Sequence, residues 1–582
     1  MLKLVAGIVA LGSTLHLSLG QEVSGSARTN TLTLQETVQR VLDYNDGLQI
    51  KMLDNEIARR QWKAERGIFE PAFIGSWEHI KTERENTSEQ AAAQSGANLL
   101  YENNNVYNSG LEFLSPIGSR FRIGYTVREL HNNITPLFRT KPNETEYATT
   151  VGITATQPLL KGFGTAATLV RIRLAAANSE IAYQEYRRQL MLLVSRAEAA
   201  YWDLFLTQEQ ERISTESVTL AERIFQDNRS RVEAGRSSQL EVLQSEAGVA
   251  LRRSRLSDSR QKLAEAVNQL STMFSGSTLD NGSGLRAAQT PEAREIQISY
   301  YDAFKDAFDL NPDYVSRRKQ AVAENIRLAY AKNQRLPQLD LKASYGVNGL
   351  GGSLSSAHTD FNDLTYDAWT VGLEMRIPVT GGIREKNELE AAKLSKQKAL
   401  LGIKEIEVQI GNALDTAILK VRNLAESIRN YQSVENFNKE LLETQLARLE
   451  VGQIESRLVL ETEEKLSEAR IAIADALVQY QKALLELELI QGSTLRNRGI
   501  DLTKPDLENK TQMLLASEKF NGPYFRELKR EAQSEYEVVK GMKPSLSEKT
   551  ARPAALPPAS ADTNLSPADQ ERALKALREG QQ

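Results

Sequence analysis

The prolines of this 582-residue chain are placed so unevenly that they constrain its fold more than any motif does. None occurs between Pro158 and Pro291, or between Pro378 and Pro505, which leaves proline-free stretches of 132 and 126 residues. Proline removes a backbone donor and clashes with the preceding helical turn, so each stretch can hold helices far longer than those of ordinary domains. Each is divided by a glycine in a matching context, Arg231-Val232-Glu233-Ala234-Gly235 and Arg448-Leu449-Glu450-Val451-Gly452. A glycine after a helical run suits the left-handed C-cap, so each stretch reads as a long αα-hairpin turning at Gly235 or Gly452. The first arm, over residues 164–233, would reach about 105 Å at 1.5 Å per residue.

Periodicity supports rods. Leu190, Val194, Ala197, Tyr201 and Leu204 are spaced 4, 3, 4, 3, and so are Ile410, Leu414, Ala417, Val421 and Leu424, 220 residues later. Such a stripe is a helix-packing seam. In the return arms Leu263, Val267 and Leu270 match Tyr480, Leu484 and Leu487 at an offset of 217. Paired stripes at a nearly constant offset indicate an internal duplication. Upstream, Asn45 and Pro71 are spaced like Asn311 and Pro337, with helix-like segments over 34–66 and 298–332. The two halves are then residues 30–290, with a hairpin over 164–275, and 291–495, with a hairpin over 383–492. The first half carries 46 extra residues between Pro71 and Pro158, compared with the span from Pro337 to Pro378.

The segments between these prolines alternate. After Pro337, Leu339, Leu341, Ala343 and Tyr345 alternate with Asp340, Lys342 and Ser344. Trp369, Val371, Leu373, Met375 and Ile377 alternate with Thr370, Glu374 and Arg376. Tyr147, Thr149, Val151, Ile153 and Ala155 follow the same rule, and Phe73 and Trp77 share one face of an earlier strand. Period two gives one apolar and one polar face. Short strands with aromatics on one face and charges on the other fit a transmembrane barrel, whose lumen would carry Asp340, Lys342, Glu374 and Arg376. Two strands per half make four per chain. Four cannot enclose a lumen, and lipid does not tolerate open sheet edges, so several chains must share one barrel.

Lys3, the apolar run Leu4 to Leu11 and Ser18-Leu19-Gly20 read as an export signal over residues 1–20. The near balance of 72 basic and 76 acidic residues argues against nucleic acid as a partner. The absence of cysteine excludes disulfides, thiolate zinc sites and thiol catalysis. The four histidines are scattered, so no metal centre, cofactor or catalytic site is expected.

With these features in place the chain resembles the outer-membrane efflux protein family of the TolC type. The resemblance is carried by the order helix, strand, strand, long hairpin, occurring twice. It is also carried by the junction Thr156-Gln157-Pro158-Leu159-Leu160-Lys161-Gly162-Phe163-Gly164 and its counterpart Ile377-Pro378-Val379-Thr380-Gly381-Gly382. Pro158, Gly162, Pro378 and Gly382 mark the two strand-to-helix turns. The resemblance implies a mainly α fold with β. Duplicated hairpins would form an α-barrel, and four strands per chain would contribute to a trimeric, twelve-stranded barrel in the outer membrane. It also implies a homotrimer that is a passive duct, with a periplasmic adaptor and an inner-membrane pump or ABC transporter docking at the tips, Gly235 and Gly452. In the family the tips carry acidic residues around a narrow entrance. Glu241 and Glu461 match that placement, Leu458 departs from it, and Glu455 and Arg457 could add or link charges there.

The competing class is an exported coiled-coil structural or adaptor protein of the periplasm. Residues 108–125 read as two further strands about the turn Pro116-Ile117-Gly118, within an inserted hairpin over 105–128 that lies either in the barrel or above it. Residues 82–105 and 346–365 read as loops. Residues 496–582 read as a periplasmic extension, with a flexible, proline-bearing tail over 545–582.

Overall fold

The computed structural model describes residues 31–93, 98–131, 145–274, 284–294, 297–362, 366–500, 503–517 and 530. The expected signal and the tail over 545–582 lie outside these residues. The chain divides into one compact unit ending at Thr511 and another beginning at Gln512, the second described only at 512–517 and 530.

In chain order the first half comprises β1 (Thr31–Leu32), α1 (Leu34–Tyr44), α2 (Asp46–Glu65), β2 (Ala72–Glu85), α3 (Ser88–Ala93), β3 (Leu99–Leu114), β4 (Arg120–Leu130), β5 (Glu146–Pro158), α4 (Thr165–Thr168), α5 (Val170–Glu233) and α6 (Gln239–Thr272). The second comprises β6 (Arg286–Ala287), α7 (Tyr300–Leu310), α8 (Pro312–Gln334), β7 (Gln338–Gly351), α9 (Leu354–Asn362), β8 (Asp367–Arg376), α10 (Ile383–Glu450) and α11 (Ser456–Gln491), followed by α12 (Thr494–Asn497) and α13 (Lys504–Ala516).

The long helices occupy the proline-free stretches. α5 has 64 residues and α10 has 68, about 95–100 Å at 1.5 Å per residue. Their return arms α6 and α11 have only 34 and 36 residues. Shorter helices complete them, because α2 packs along α5, and α8 along both α5 and α10. The upstream segments expected over 34–66 and 298–332 are not single helices. Each is broken at an asparagine whose side chain caps the second piece: Asn45 accepts from the Leu48 N–H and Asn311 from those of Asp313 and Tyr314. The same asparagines donate to the far ends of the return arms, Asn45 to the Met273 carbonyl (3.5 Å) and Asn311 to that of Ile490 (2.9 Å). One side chain at each break thus serves two helix ends, satisfying orphan groups on both.

The stripe expected in α5 is the core. Leu190, Val194, Ala197, Tyr201 and Leu204 are all fully buried, and Ile410, Leu414, Ala417 and Val421 are buried in α10. Around Tyr201 the chain adds a girdle that the periodicity did not reveal. β1 pairs in parallel with β6, and the Tyr201 hydroxyl donates to the Leu32 carbonyl while accepting from the Gln289 N–H. Part of the expected C-terminal extension is also ordered against the helices. Leu495 and Leu507 are buried with Leu48, Met52, Tyr186 and Leu190, and Arg498 is held by Glu198 and Glu488. Burial pushes the Glu198 carboxyl above its usual range, despite the Arg498 guanidinium beside it.

The sheet corrects the expected count. Among the described residues six strands, not four, form one antiparallel sheet in the order β2-β3-β4-β5-β7-β8. The inserted hairpin is β3 and β4, lying inside the sheet between β2 and β5. The expected loops are also shorter, because β2 runs on to Glu85, β3 begins at Leu99 and β7 reaches Gly351 before α9. Asn- and Gly-rich segments have low strand propensity, but pairing with a neighbouring strand outweighs it. Asn103, Asn104 and Asn105 each face a β2 residue, and Gly349 faces Thr149.

Candidate functional site

Residues that face one another across a ladder lie on the same side of a sheet, so register assigns the faces. One row reads Phe73, Leu111, Ile123, Ile153, Tyr345, Trp369 across all six strands, and every one of these side chains is exposed. Val371, Leu373 and Met375 extend that apolar face along β8. An exposed apolar face of this extent calls for a non-aqueous neighbour. The opposite face is polar. It brings together all four residues expected to line a lumen: Lys342 pairs with Glu374, Arg376 lies 3.9 Å from Glu374, and Asp340 faces Glu374 across the ladder and accepts from Gln338. Glu112 and Arg122, 3.6 Å apart, add a second pair on this face from the inserted hairpin.

The direction of curvature follows from glycines. Gly110, Gly124, Gly152 and Gly346 form one row on the polar face. A Cβ added at Gly110 would stand 2.8 Å from the Ile123 carbonyl oxygen, and one at Gly152 2.8 Å from that of Tyr345. Side chains converge on the concave side of a bent sheet, and glycine permits the bend. The polar face is therefore concave and the apolar face convex.

The strand-to-helix turns are tied to each other. Gly162, with φ of 87°, donates its N–H to the Asn333 side chain, and Asn333 donates back to the carbonyls of Leu160 and Phe163. Pro158 ends β5, and Pro378 precedes a turn in which Gly381 and Gly382 both have positive φ before α10. Lys161 in the first turn pairs with Glu385 at the start of α10 (3.4 Å), which holds the Glu385 carboxyl below its usual range together with a backbone hydrogen bond, the larger influence. The inserted hairpin joins the same assembly, since Gly164 donates to the Ile117 carbonyl.

At the opposite end Gly235 and Gly452 have φ of 71° and 74° and close α5 and α10 with the same pair of bonds. Gly235 and Arg236 donate to Val232 and Arg231, and Gly452 and Gln453 donate to Leu449 and Arg448. This is the Schellman arrangement that glycine permits. Behind the tips one core draws on all four arms: Ala221 and Ile224, Val249, Leu442 and Leu449, and Val459, Leu460 and Leu466. Of the acidic candidates, Glu241 accepts from the Ser237 hydroxyl (2.9 Å). Glu461 is half exposed and pairs with Arg457 one turn earlier (2.5 Å), while Glu455 lies 4.0 Å from Arg457. Arg457 thus links the two carboxylates within one chain.

Sequence reasoning missed the bonds that join the hairpins. Arg231 donates to the Leu449 carbonyl at the end of α10, and Asn228 donates to the Ser456 hydroxyl at the start of α11. Deeper, Arg252 on α6 is buried against Glu463 on α11. Nothing in the spacing of these residues marks them, because each pair joins helices more than 200 positions apart.

Comparison with known proteins agrees with this architecture. The profile of the family described as outer membrane efflux protein matches residues 129–276 and 306–493. The chain is 23% identical over 344 residues to the outer membrane efflux protein BepC of Brucella suis, covering 58% of this chain and 71% of BepC. It is 23% identical over 213 residues to the alkaline protease secretion protein AprF of Pseudomonas aeruginosa, covering 36% of this chain and 43% of AprF. Its fold is similar to that of the CmeC outer membrane channel of Campylobacter jejuni, with a TM-score of 0.58, 15% identity and coverage of 82% and 88% of the two chains. It is also similar to the open MtrE channel of Neisseria gonorrhoeae, with a TM-score of 0.52, 16% identity and coverage of 79% and 88%.

Proposed function

The chain belongs to the outer membrane efflux protein family, and on that premise we propose that three copies assemble into a passive outer-membrane duct continued by a helical tunnel through the periplasm. The observation that carries this reading is the curved sheet, apolar on its convex face and ending in strands β2 and β8, which among the described residues pair on one side only. A row of unpaired backbone groups is costly in hydrocarbon, and closure with neighbouring copies removes it. The convex belt then meets lipid, and the polar face, with Asp340, Lys342, Glu374 and Arg376, lines the pore.

The long hairpins carry the passage away from the membrane. A periplasmic adaptor would dock at the Gly235 and Gly452 turns and connect the duct to an inner-membrane pump or ABC transporter, which supplies the energy. The duct would serve efflux or type I secretion. Near the tips Glu241 and Glu461 from three copies would surround the axis and favour cations, with Glu455 and Arg457 setting how much of that charge is balanced within each chain. Opening requires the two hairpins of a copy to separate, so the Arg231, Asn228 and Arg252 bonds are the contacts that docking would have to break.

Fractionation followed by crosslinking tests the assembly. A detergent-extracted trimer from the outer membrane is the expected result. A soluble monomer would exclude the duct and favour an exported coiled-coil or adaptor protein.

A further inference from the structure

The inserted hairpin has the features of barrel wall and not of an appended loop. β3 pairs with β2 from Ala72–Glu112 to Glu85–Leu99, and β4 pairs with β5 from Arg120–Thr156 to Leu130–Glu146. Tyr107, Leu111 and Ile123 continue the convex apolar face, while Glu112 and Arg122 continue the polar one. Gly110 and Gly124 fall in the same row as Gly152 and Gly346. A Cβ at Gly110 would crowd the neighbouring backbone as one at Gly152 would, so the inserted strands bend toward the same side at the same level. Two added strands also preserve topology. β2 is antiparallel to β3 and β4 to β5, so β2 and β5 run in opposite directions with or without the hairpin between them. Six alternating strands leave β2 and β8 antiparallel, as closure between copies requires.

We infer that β3 and β4 are a bore-widening insertion, so that three copies close an eighteen-stranded barrel in place of the twelve strands that two strands per half would give. This rests on the trimer proposed above. Barrel diameter grows roughly linearly with strand number, so the outer mouth is about 1.5-fold wider than a twelve-stranded one. Its wall carries charges of both signs, and the glycine row thins the lining at one level, where only Ile74 and Ala368 complete the row. Such a mouth suits bulky, hydrated, polar cargo, which a narrower barrel of the same lining would exclude by size.

Electron cryo-microscopy of the full chain in lipid nanodiscs tests the count directly. A trimer enclosing eighteen strands is expected. A trimer of twelve strands, with residues 99–130 folded outside the wall, overturns the inference and leaves the proposed duct standing, whereas an assembly that is not trimeric removes both. Deleting residues 99–130 gives a second measurement, in which neutral polyethylene glycols are added from the extracellular side of single channels in planar bilayers. The size cutoff of the deleted form is expected to fall by about a third. An unchanged cutoff in a conducting deletion channel overturns the inference.

Discussion

Arg252 and Glu463, 211 positions apart, meet in the space between the two hairpins, with Arg252 Nη2 2.7 Å from Glu463 Oε2. Both are almost wholly buried, at 4% and 5% exposure. Arg252 also donates to the Ser217 hydroxyl and the Leu460 carbonyl, and Glu463 accepts from Ser467. Burying two charges is expensive, and their attraction compensates only when the remaining donors and acceptors are met. Here they are met from α5 and α11, so the pair fixes how the two hairpins are seated.

Removing one partner should therefore be far worse than removing both. Arg252→Met leaves a buried carboxylate and is expected to destabilise the tip region by about 3–5 kcal/mol. Adding Glu463→Leu should recover most of that loss. Hydrogen exchange of α6 and α11 would measure it, and similar protection in the single variant and the parent would show that the pair holds nothing together.

Glu461 is paired with Arg457 inside its own helix, so its charge is partly balanced before any assembly. Arg457→Ala should therefore raise cation selectivity in planar bilayers, and Glu461→Ala should lower it. Equal reversal potentials in both variants would remove this pair from the entrance.

The face assignment has its own test. Ile123 lies in the convex row and Thr154 on the concave face beside Arg122. Ile123→Lys should cost roughly 2–4 kcal/mol if that row sits near the bilayer midplane, whereas a lumen position tolerates charge. Urea unfolding in liposomes should show the loss for Ile123→Lys and little change for Thr154→Lys. The opposite order would invert the barrel.

Acid should loosen the α2 region. Hydrogen bonding from Arg59, joined by Arg60, holds the Glu56 carboxyl below its ordinary value of 4.5. A lowered folded-state value contributes stability above pH 4.5, which is lost as the pH falls through that lowered value. Glu198 has the opposite sign: burial raises it, so its contribution is present below pH 4.5 and fades as the pH rises through the raised value. Thermal unfolding below pH 4.5 should show a smaller acid-induced loss for Glu56→Gln than for the parent.

The hairpins and their packing seams were legible because their signals are local. Proline exclusion, a glycine C-cap and a 3.6-residue period each act within a few turns, so Leu190 to Leu204 could be assigned to a buried face one residue at a time. The polar and apolar strand faces were legible for the same reason, since alternation at Leu339 to Tyr345 needs no knowledge of the neighbour. The breaks at Asn45 and Asn311 were visible as landmarks, but not as breaks. Their role depends on the ends of α6 and α11, which return to them from more than 170 positions away.

The sequence by itself determined that this chain makes two very long helical hairpins and amphipathic strands, because those features follow from backbone sterics and from period. Only the tertiary structure decided that the inserted residues join the sheet, that glycines from four strands share one row, and that Arg252 answers Glu463. Each of these depends on register or on packing between distant segments. Local propensity carries no record of which partner a strand or a charge will meet, and that choice is settled by the pairing that buries the most while leaving the fewest polar groups unmet.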